Sequence, residues 1–187
     1  MSDHSLKGKY VVIAGGGKNL GGLLARRFAE NGAAGIAVHY NSAGSKADAE
    51  ETVKAVQDAG AKAFAIQGDL AVVANNAALF DEAKKQFGGI DIAINTAGVV
   101  IKKPIAEVTE ADYDRSFDAN AKAAFFFLQQ AGRSLNDGGK ILTIVTSLLA
   151  AYTPFYSIYG GGKAPVEHFT RAASKEFGER GISVNAL

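Results

Sequence analysis

The sequence contains no cysteine, and its three histidines are far apart. Without cysteine the chain can form no disulfide, no thiolate metal site and no thiol nucleophile. This fits a reducing compartment, and we expect a cytoplasmic protein. His4, His39 and His168 show neither the HxxxH nor the HExxH spacing of zinc proteins, so we expect no metal site.

Strong charge and long hydrophobic runs are also missing. The net charge of the 187 residues is +1, which argues against a surface for polyanions, so we expect no nucleic-acid partner. The longest nearly apolar run, residues 141–152, contains several hydroxyl side chains and is shorter than the roughly 20 residues of a membrane-spanning helix. The first residues show no secretory cleavage pattern. We therefore expect no membrane partner.

Hydrophobic residues make up 48% of the chain, enough for one sizeable core. Short apolar segments alternate with stretches of helical periodicity, and the links between them are short. This pattern predicts strands over residues 10–14, 36–40, 62–67, 90–95, 140–145 and 181–187, with helices between them. A capping box at Thr109 is expected to begin a long helix that reaches about residue 135. We therefore predict a single α/β domain over residues 1–187, with a doubly wound, Rossmann-like parallel sheet.

Tyr159 and Lys163 are four residues apart in a predicted helix, so their side chains share one face. A cation close to a phenol favours the phenolate, which could exchange a proton with a substrate. Ser147 or Thr146, at the end of the preceding strand, could hold a carbonyl oxygen beside that phenol. The alternative is an ordinary helix pair. Three glycines, residues 160–162, separate the pair at a cost to the helix, which indicates close approach of a flat ligand or another backbone.

A glycine-rich turn follows the first predicted strand at residues 15–21. It matches neither GxGxxG nor a P-loop, and its pattern is G-x-x-x-N-x-G. After glycine, asparagine is the residue that best tolerates positive φ, so the turn can form with Asn19. Such a turn points main-chain N–H groups and a helix N-terminus at a pyrophosphate. A flexible turn that binds no ligand is the alternative.

Together these motifs resemble the short-chain dehydrogenase/reductase family, in its NADP-preferring, ketoreductase-like branch. The family signature is a serine and YxxxK behind a glycine-rich turn, TGxxxGxG, in which this chain has Ala14 for threonine and Asn19 for the middle glycine. The resemblance implies hydride transfer between a nicotinamide and a carbonyl carbon. Family members continue with a further helix, strand and substrate loop, so we expect the natural chain to continue beyond Leu187.

The resemblance also implies roles for individual residues. Tyr159 would donate the proton during reduction. Lys163 would lower the pKa of Tyr159 and bind the nicotinamide ribose, and Asn120 would sustain a proton relay. Ser147 would orient the carbonyl, although its distance of twelve residues from Tyr159 departs from the usual thirteen, which Thr146 restores. The implied cofactor-binding residues are Gly15, Lys18, Asn19, Leu20, Gly21, Tyr40, Asn41, Ser42, Asp69, Leu70, Asn95, Ala97, Gly98 and Lys163.

The expected cofactor is NADP(H), with NAD(H) second. Residues 39–42, at the end of the second strand, contain no carboxylate to bind a ribose 2′-hydroxyl and repel a 2′-phosphate. Lys18 lies where NADP-preferring relatives often carry a basic residue, although a solvated turn lysine is the alternative.

Three functions remain open from the sequence. The first is an NADP(H)-dependent oxidoreductase that interconverts a small-molecule ketone or aldehyde and an alcohol. The second is a catalytically inactive dinucleotide-binding protein, and the third a structural or partner-binding α/β domain without nucleotide affinity. The predicted long helix is apolar on all sides at residues 125–128, which favours burial against both the sheet and a second subunit in a dimer or tetramer.

Overall fold

A computed structural model describes residues 5–187. Residues 1–4 lie outside the described residues, and with them part of the segment that shows no secretory pattern and His4, one of the three histidines without zinc-site spacing. Among the described residues, six parallel strands form one sheet in the order β3-β2-β1-β4-β5-β6. The strands are β1 (Tyr10–Ala14), β2 (Gly35–Tyr40), β3 (Lys62–Gln67), β4 (Ile92–Asn95), β5 (Lys140–Thr143) and β6 (Ser183–Ala186). The predicted doubly wound parallel sheet is therefore confirmed.

Between residues 5 and 187, six α-helices connect the strands. They are α1 (Asn19–Glu30), α2 (Lys46–Asp58), α3 (Val73–Phe87), α4 (Glu110–Phe117), α5 (Ala123–Ser134) and α6 (Ser157–Glu176). None of the helices in the described part of the chain is both long and apolar enough to cross a membrane.

The predicted long helix is divided by a π-helical segment, Asp118–Lys122, between α4 and α5. Its beginning agrees with the sequence, because Thr109 and Asp112 form a reciprocal capping box. The wider π turn contains a tertiary contact: the Asn120 side chain accepts a hydrogen bond from the N–H of Val99 and donates one to its C=O. Helical periodicity does not report such an interruption, and π segments are frequent at functional sites.

Two apolar cores lie on the two faces of the sheet. One contains Phe80 and Phe127, and the other contains Ile36 and Val56, all completely buried. Strand β1 contributes alternate residues to both cores, as a strand covered on both sides does. This central strand ends at the point where the strand order reverses, which is where ligands bind in open α/β sheets.

Helix α1 packs on the sheet through small residues together with the partly buried Leu24 and Phe28, and not through every apolar residue of its helical pattern. Gly21, Gly22 and Ala25 are buried, whereas Leu20 and Leu23 are 44% and 52% exposed. Small residues allow α1 to lie close to α2, where a Cβ on Gly22 would be 3.2 Å from the Thr52 hydroxyl. The close packing fixes the glycine turn directly before α1.

Candidate active site

A cavity of about 520 Å³ lies beyond the carboxyl ends of β1, β2, β3 and β4. The turn before α1, the end of β2 and the segments after β3 and β4 converge there. The predicted residues that line it are Gly15, Lys18, Asn19, Leu20, Gly21, Tyr40, Asn41, Asp69, Leu70, Ala97 and Gly98. Residues from four separate parts of the sequence therefore surround one space.

Three other predicted cofactor residues, Asn95, Ser42 and Lys163, do not line this cavity. Asn95 is 1% exposed, and its side-chain oxygen accepts a hydrogen bond from the Ala97 N–H at 2.9 Å, so it shapes the loop from beneath. Ser42 is exposed, and its carbonyl accepts from the N–H of Ser45, which does line the cavity. Through these hydrogen bonds, Asn95 and Ser42 each position a residue that lines the cavity.

The glycine turn has the backbone that the sequence requires of it. Asn19 has φ 49°, so it occupies the left-handed region expected of it. A Cβ on Gly21 would overlap the Gly15 carbonyl oxygen, and one on Gly15 would lie 2.8 Å from the Thr96 hydroxyl. Side chains at these positions would therefore separate the turn from the β4 loop.

Three side chains from three elements hold the turn in place. The Gly15 N–H donates to Nδ1 of His39 on β2 at 3.2 Å. The Thr52 hydroxyl on α2 donates to the Gly17 carbonyl at 2.8 Å. The Thr96 hydroxyl, after β4, donates to the Ala14 carbonyl at 2.8 Å. The sequence motif did not reveal these contacts, because each joins segments distant in sequence.

Lys163 extends from α6 to the β4 and β5 loops. The residue is 3% exposed, and Nζ donates to the carbonyl oxygens of Ile144 at 2.9 Å and Ala97 at 3.4 Å. Burial lowers the pKa of Lys163 from its usual value to about 8. Since about 8 is still above neutral pH, the side chain is mainly an ammonium at pH 7.

Asn120 and Lys163 meet at Gly98, which lines the cavity. A Cβ on Gly98 would lie 2.7 Å from Oδ1 of Asn120 and 3.1 Å from Nζ of Lys163. Nδ2 of Asn120 also donates to the Ser116 hydroxyl at 3.3 Å, and that hydroxyl donates to the Ile158 carbonyl at 3.0 Å. A buried hydrogen-bond network therefore joins the β4 loop, the π segment and the residue before Tyr159.

Tyr159 is partly buried in the first turn of α6, one turn before Lys163. No described residue forms a hydrogen bond with its hydroxyl, and the nearest ring is that of Tyr156, with centroids 6.5 Å apart. Ser147 is exposed, and the part of the chain that the structure describes offers its hydroxyl no partner. The Thr146 hydroxyl accepts from the Leu148 N–H at 3.3 Å and so caps a short 3₁₀ turn.

The three glycines of α6 have different surroundings. Gly162 packs against α4, where a Cβ would lie 3.2 Å from the Ser116 hydroxyl. Nothing lies within 4 Å of a Cβ on Gly160, and for Gly161 only the Phe117 ring reaches 4.0 Å. The expected close approach of a backbone is therefore found at Gly162 alone.

Arg115 and Asp118 also line the cavity, although the sequence analysis did not identify them. Asp118 forms an ion pair with Lys122 at 3.1 Å, whereas Arg115 is exposed. No motif marked either residue. The only available signal was their position on the same helical stretch as Asn120. Between residues 5 and 187, no group of three or more His, Asp or Glu side chains is arranged to hold a metal ion.

A second cavity of about 670 Å³ lies between the β4 loop, the β5 loop and the start of α6. Its lining is mainly apolar and aromatic, and it includes Pro104, Ile105, Leu148, Leu149, Tyr152, Phe155 and Tyr156. The two loops are joined by a hydrogen bond from the Lys103 N–H to the Phe155 carbonyl at 2.8 Å and by Lys102, whose ammonium is 5.5 Å from the Tyr156 ring centre.

Comparisons with known proteins agree with this architecture. The family model described as short chain dehydrogenase matches residues 9–187. A hydroxynaphthalene reductase-like protein, Arp2, from Metarhizium brunneum is 40% identical over 185 residues, which are 98% of this chain and 68% of that relative.

Two solved structures from Burkholderia cenocepacia are also similar. One, described as a dehydrogenase and containing bound NADP, has a TM-score of 0.96 and 61% identity, and the match covers 100% of this chain and 70% of that one. The other, a short chain dehydrogenase in complex with NADP, has a TM-score of 0.93 and 30% identity, with coverage of 98% and 74%.

Proposed function

Because the chain belongs to the short-chain dehydrogenase family, we propose that it is an NADP(H)-dependent oxidoreductase that interconverts a ketone or aldehyde and an alcohol. Membership of the family supports oxidoreductase chemistry in general. One observation carries the specific proposal: the Lys163 ammonium and the Asn120 amide occupy the space where Gly98 lacks a side chain, and Gly98 lines the same cavity as the glycine turn. Candidate catalytic groups therefore border the candidate dinucleotide site.

The glycine turn fits the pyrophosphate of a dinucleotide. Helix α1 has no acidic residue in its first turn, and no side chain caps its N-terminus at Lys18, so main-chain N–H groups there remain available to an anion. Glycines at positions 15, 21 and 98 allow the segments around the cavity to approach one another, because a Cβ on any of them would lie within 3 Å of a neighbouring protein atom. When bound, the nicotinamide would supply or accept a hydride. The residues proposed to hold the cofactor are those implied by the family resemblance.

Tyr159 is the proposed proton donor to the carbonyl oxygen during reduction. The positive charge of Lys163 favours the phenolate that remains after the transfer. Ser147 is proposed to orient the carbonyl through its unpartnered hydroxyl, with Thr146 as the alternative. Asn120 is proposed to sustain proton transfer from solvent toward Lys163. The Asn120 side chain is already hydrogen-bonded to the main chain of Val99. The proposed role would therefore depend on how the π segment positions Asn120.

NADP(H) is the proposed cofactor in preference to NAD(H). Lys18 lines the cavity beside the end of β2, where Tyr40 and Asn41 present no carboxylate. A 2′-phosphate carries additional negative charge that a lysine attracts. The presence of NADP in two related structures supports the same choice.

An aromatic or otherwise hydrophobic carbonyl compound is the proposed substrate class. The second cavity is lined by residues that flank Ser147 and Tyr159 in the chain, and its surface includes the rings of Tyr152 and Phe155. One relative carries the name hydroxynaphthalene reductase-like protein, which supports an aromatic substrate.

We further propose a cytoplasmic homo-oligomer, either a dimer or a tetramer. On α5, Phe127 is completely buried, whereas Phe125 is 41% exposed and contacts Phe169 of α6 edge-on. An exposed phenylalanine beside another ring provides apolar area for a second subunit. The absence of cysteine supports the location. Multi-angle light scattering of the full-length protein would test the oligomer.

The direct test of the proposed function is cofactor oxidation by the full-length protein. NADPH absorbance would be followed with a panel of aromatic and aliphatic ketones, and NADP⁺ affinity would be measured by calorimetry. Turnover with NADPH supports the proposal. Binding without turnover of any ketone or aldehyde would favour the inactive dinucleotide-binding protein, and absence of nucleotide binding would contradict both functions.

A further inference from the structure

His39 lies near the carboxyl end of β2 and is 3% exposed. Its Nδ1 is 3.2 Å from the Gly15 nitrogen, and its Nε2 is 2.6 Å from the Gly68 carbonyl oxygen. The imidazole therefore connects the glycine turn after β1 with the segment after β3, across the strand between them. The contact is separate from the Tyr159 and Lys163 groups of the proposed chemistry.

The two partners determine where the imidazole carries its proton. A main-chain N–H can only donate, so Nδ1 must accept from Gly15 and cannot be protonated. A carbonyl oxygen can only accept, so Nε2 must donate to Gly68. His39 is thus held as the neutral ring with its hydrogen on Nε2. Adding a second proton would point two N–H groups at each other at Gly15.

The surroundings also favour the neutral ring. Burial lowers the pKa of His39 from its usual value of about 6.5, and this effect exceeds the opposing effects of the Gly68 hydrogen bond and the Asp69 charge. Asp69 follows β3 and is the nearby carboxylate that acts on the ring. The other charged groups around the same cavity are Lys18, Arg115 and Asp118.

Building on the proposed cofactor role, we propose that His39 is a positioning residue whose neutral imidazole holds the Gly15 amide in the orientation that a bound dinucleotide requires, so that protonation of His39 weakens dinucleotide binding. The other two anchors of the turn, Thr52 and Thr96, do not titrate. Among the three side chains that anchor the turn, His39 is therefore the one that can respond to pH.

Two substitutions at His39 distinguish the loss of a hydrogen-bond acceptor for the Gly15 N–H from the loss of a titratable imidazole. In His39→Asn the side-chain oxygen can accept from the Gly15 N–H close to the position of Nδ1, and it does not titrate. In His39→Leu both partners lose their hydrogen bonds. His168→Asn is the matched control, because His168 is exposed on α6. Chemical denaturation would first verify that each variant folds.

The first experiment measures NADP⁺ affinity by calorimetry between about pH 4.5 and 8. The 2′-phosphate itself titrates near pH 6, but this contributes equally to every protein and cancels in ratios. We expect the dissociation constant of the unsubstituted protein to rise relative to that of His39→Asn as the pH falls, approaching tenfold per pH unit below the pKa of His39. His168→Asn should behave as the unsubstituted protein, and His39→Leu should bind about tenfold more weakly throughout. A constant ratio between the unsubstituted protein and His39→Asn would overturn the inference.

The second experiment needs no cofactor, so it separates this inference from the proposed function. Hydrogen exchange gives a protection factor for the Gly15 amide, corrected for the pH dependence of intrinsic exchange. In acid this factor should fall in the unsubstituted protein and stay constant in His39→Asn. Parallel behaviour of the two proteins would overturn the inference. Failure of all proteins to bind NADP⁺ would overturn the proposed function and, with it, the binding consequence of His39 protonation.

Discussion

Nζ of Lys163 lies 2.9 Å from the carbonyl oxygen of Ile144, so a lysine on α6 is attached to the segment that leaves β5. That segment continues directly to Thr146 and Ser147, the two candidate hydroxyl groups. A single contact therefore fixes the candidate proton donor's helix against the candidate carbonyl-binding loop. Because burial lowers the pKa of Lys163, we expect the charge on Lys163 to reduce the stability of the folded protein.

Lys163 should give the stability of the protein a distinct dependence on pH. Its pKa is about 8 in the folded protein and about 10.5 when unperturbed, so the unfolded chain binds more protons between these values. The free energy of unfolding should therefore rise with pH from about 8 to 10.5, relative to Lys163→Met, by up to about 1.4 kcal/mol per pH unit. Denaturant titration at several pH values would measure this. The control is Lys175→Met, on an exposed part of α6, whose free energy of unfolding should change with pH as that of the unsubstituted protein does. An equal pH dependence of the free energy of unfolding in Lys163→Met and the unsubstituted protein would contradict the argument.

Lys18 and Asp48 should have opposite effects on cofactor choice. Nζ of Lys18 lies 3.1 Å from Asp48, so this carboxylate competes with a 2′-phosphate for the lysine. Lys18→Met should weaken NADP⁺ binding about two- to fivefold while leaving NAD⁺ binding nearly unchanged, and Asp48→Asn should strengthen NADP⁺ binding by a similar factor. Calorimetry at low and high salt would test this, since salt should reduce both effects. Tighter binding of NAD⁺ than NADP⁺ by the unsubstituted protein would remove the basis for NADP preference.

Gly160 and Gly162 should respond differently to alanine. Nothing obstructs a Cβ at Gly160, so Gly160→Ala should raise the free energy of unfolding by about 0.5–1 kcal/mol. At Gly162 the same Cβ would lie 3.2 Å from the Ser116 hydroxyl, so Gly162→Ala should gain less or lose stability. Denaturant titration compares the two directly. Equal gains would show that the contact between α6 and α4 is looser than described.

The two candidate hydroxyl groups can be separated by their different structural roles. Thr146→Ala removes the acceptor that caps the 3₁₀ turn and should cost about 1 kcal/mol of stability with a modest change in kcat. Ser147→Ala removes an exposed, unpartnered hydroxyl and should lower kcat with little change in stability. Steady-state kinetics and thermal unfolding would be measured together. A larger loss of kcat in Thr146→Ala would transfer the carbonyl-orienting role to Thr146.

Much of the fold could be predicted because its signals are local. Strands β1 and β3 have the predicted bounds, since each is a short apolar run ended by glycine or polar residues. The buried face of α1 was harder to predict, because helical periodicity indicates a helix but does not show that Gly22 faces α2. The π segment was missed for a related reason: the pairing of Asn120 with Val99 joins residues 21 apart in sequence.

Those parts of the candidate site were predictable whose residues all belong to one continuous sequence motif. The glycine turn and the left-handed Asn19 belong to this class. The contact of His39 with Gly15 does not, because it depends on the alignment of β2 beside β1, and a histidine in a buried strand has no distinguishing sequence pattern. Arg115 and Asp118 reach the cavity only because α4 and the π segment are folded over the β4 loop.

The central claim is that the Tyr159 hydroxyl transfers the proton that accompanies reduction. Tyr159→Phe removes only this hydroxyl. Tyr113→Phe is the matched control, because Tyr113 is 49% exposed on α4, stacks on Phe117 and lines neither of the two cavities described above.

Turnover of a ketone by Tyr159→Phe, measured beside its NADPH affinity in the full-length protein, tests the claim most directly. We expect kcat to fall by about 10²- to 10⁴-fold, while the dissociation constant for NADPH and the kcat of Tyr113→Phe remain close to those of the unsubstituted protein. A Tyr159→Phe protein that reduces the ketone at the unsubstituted rate would contradict the account.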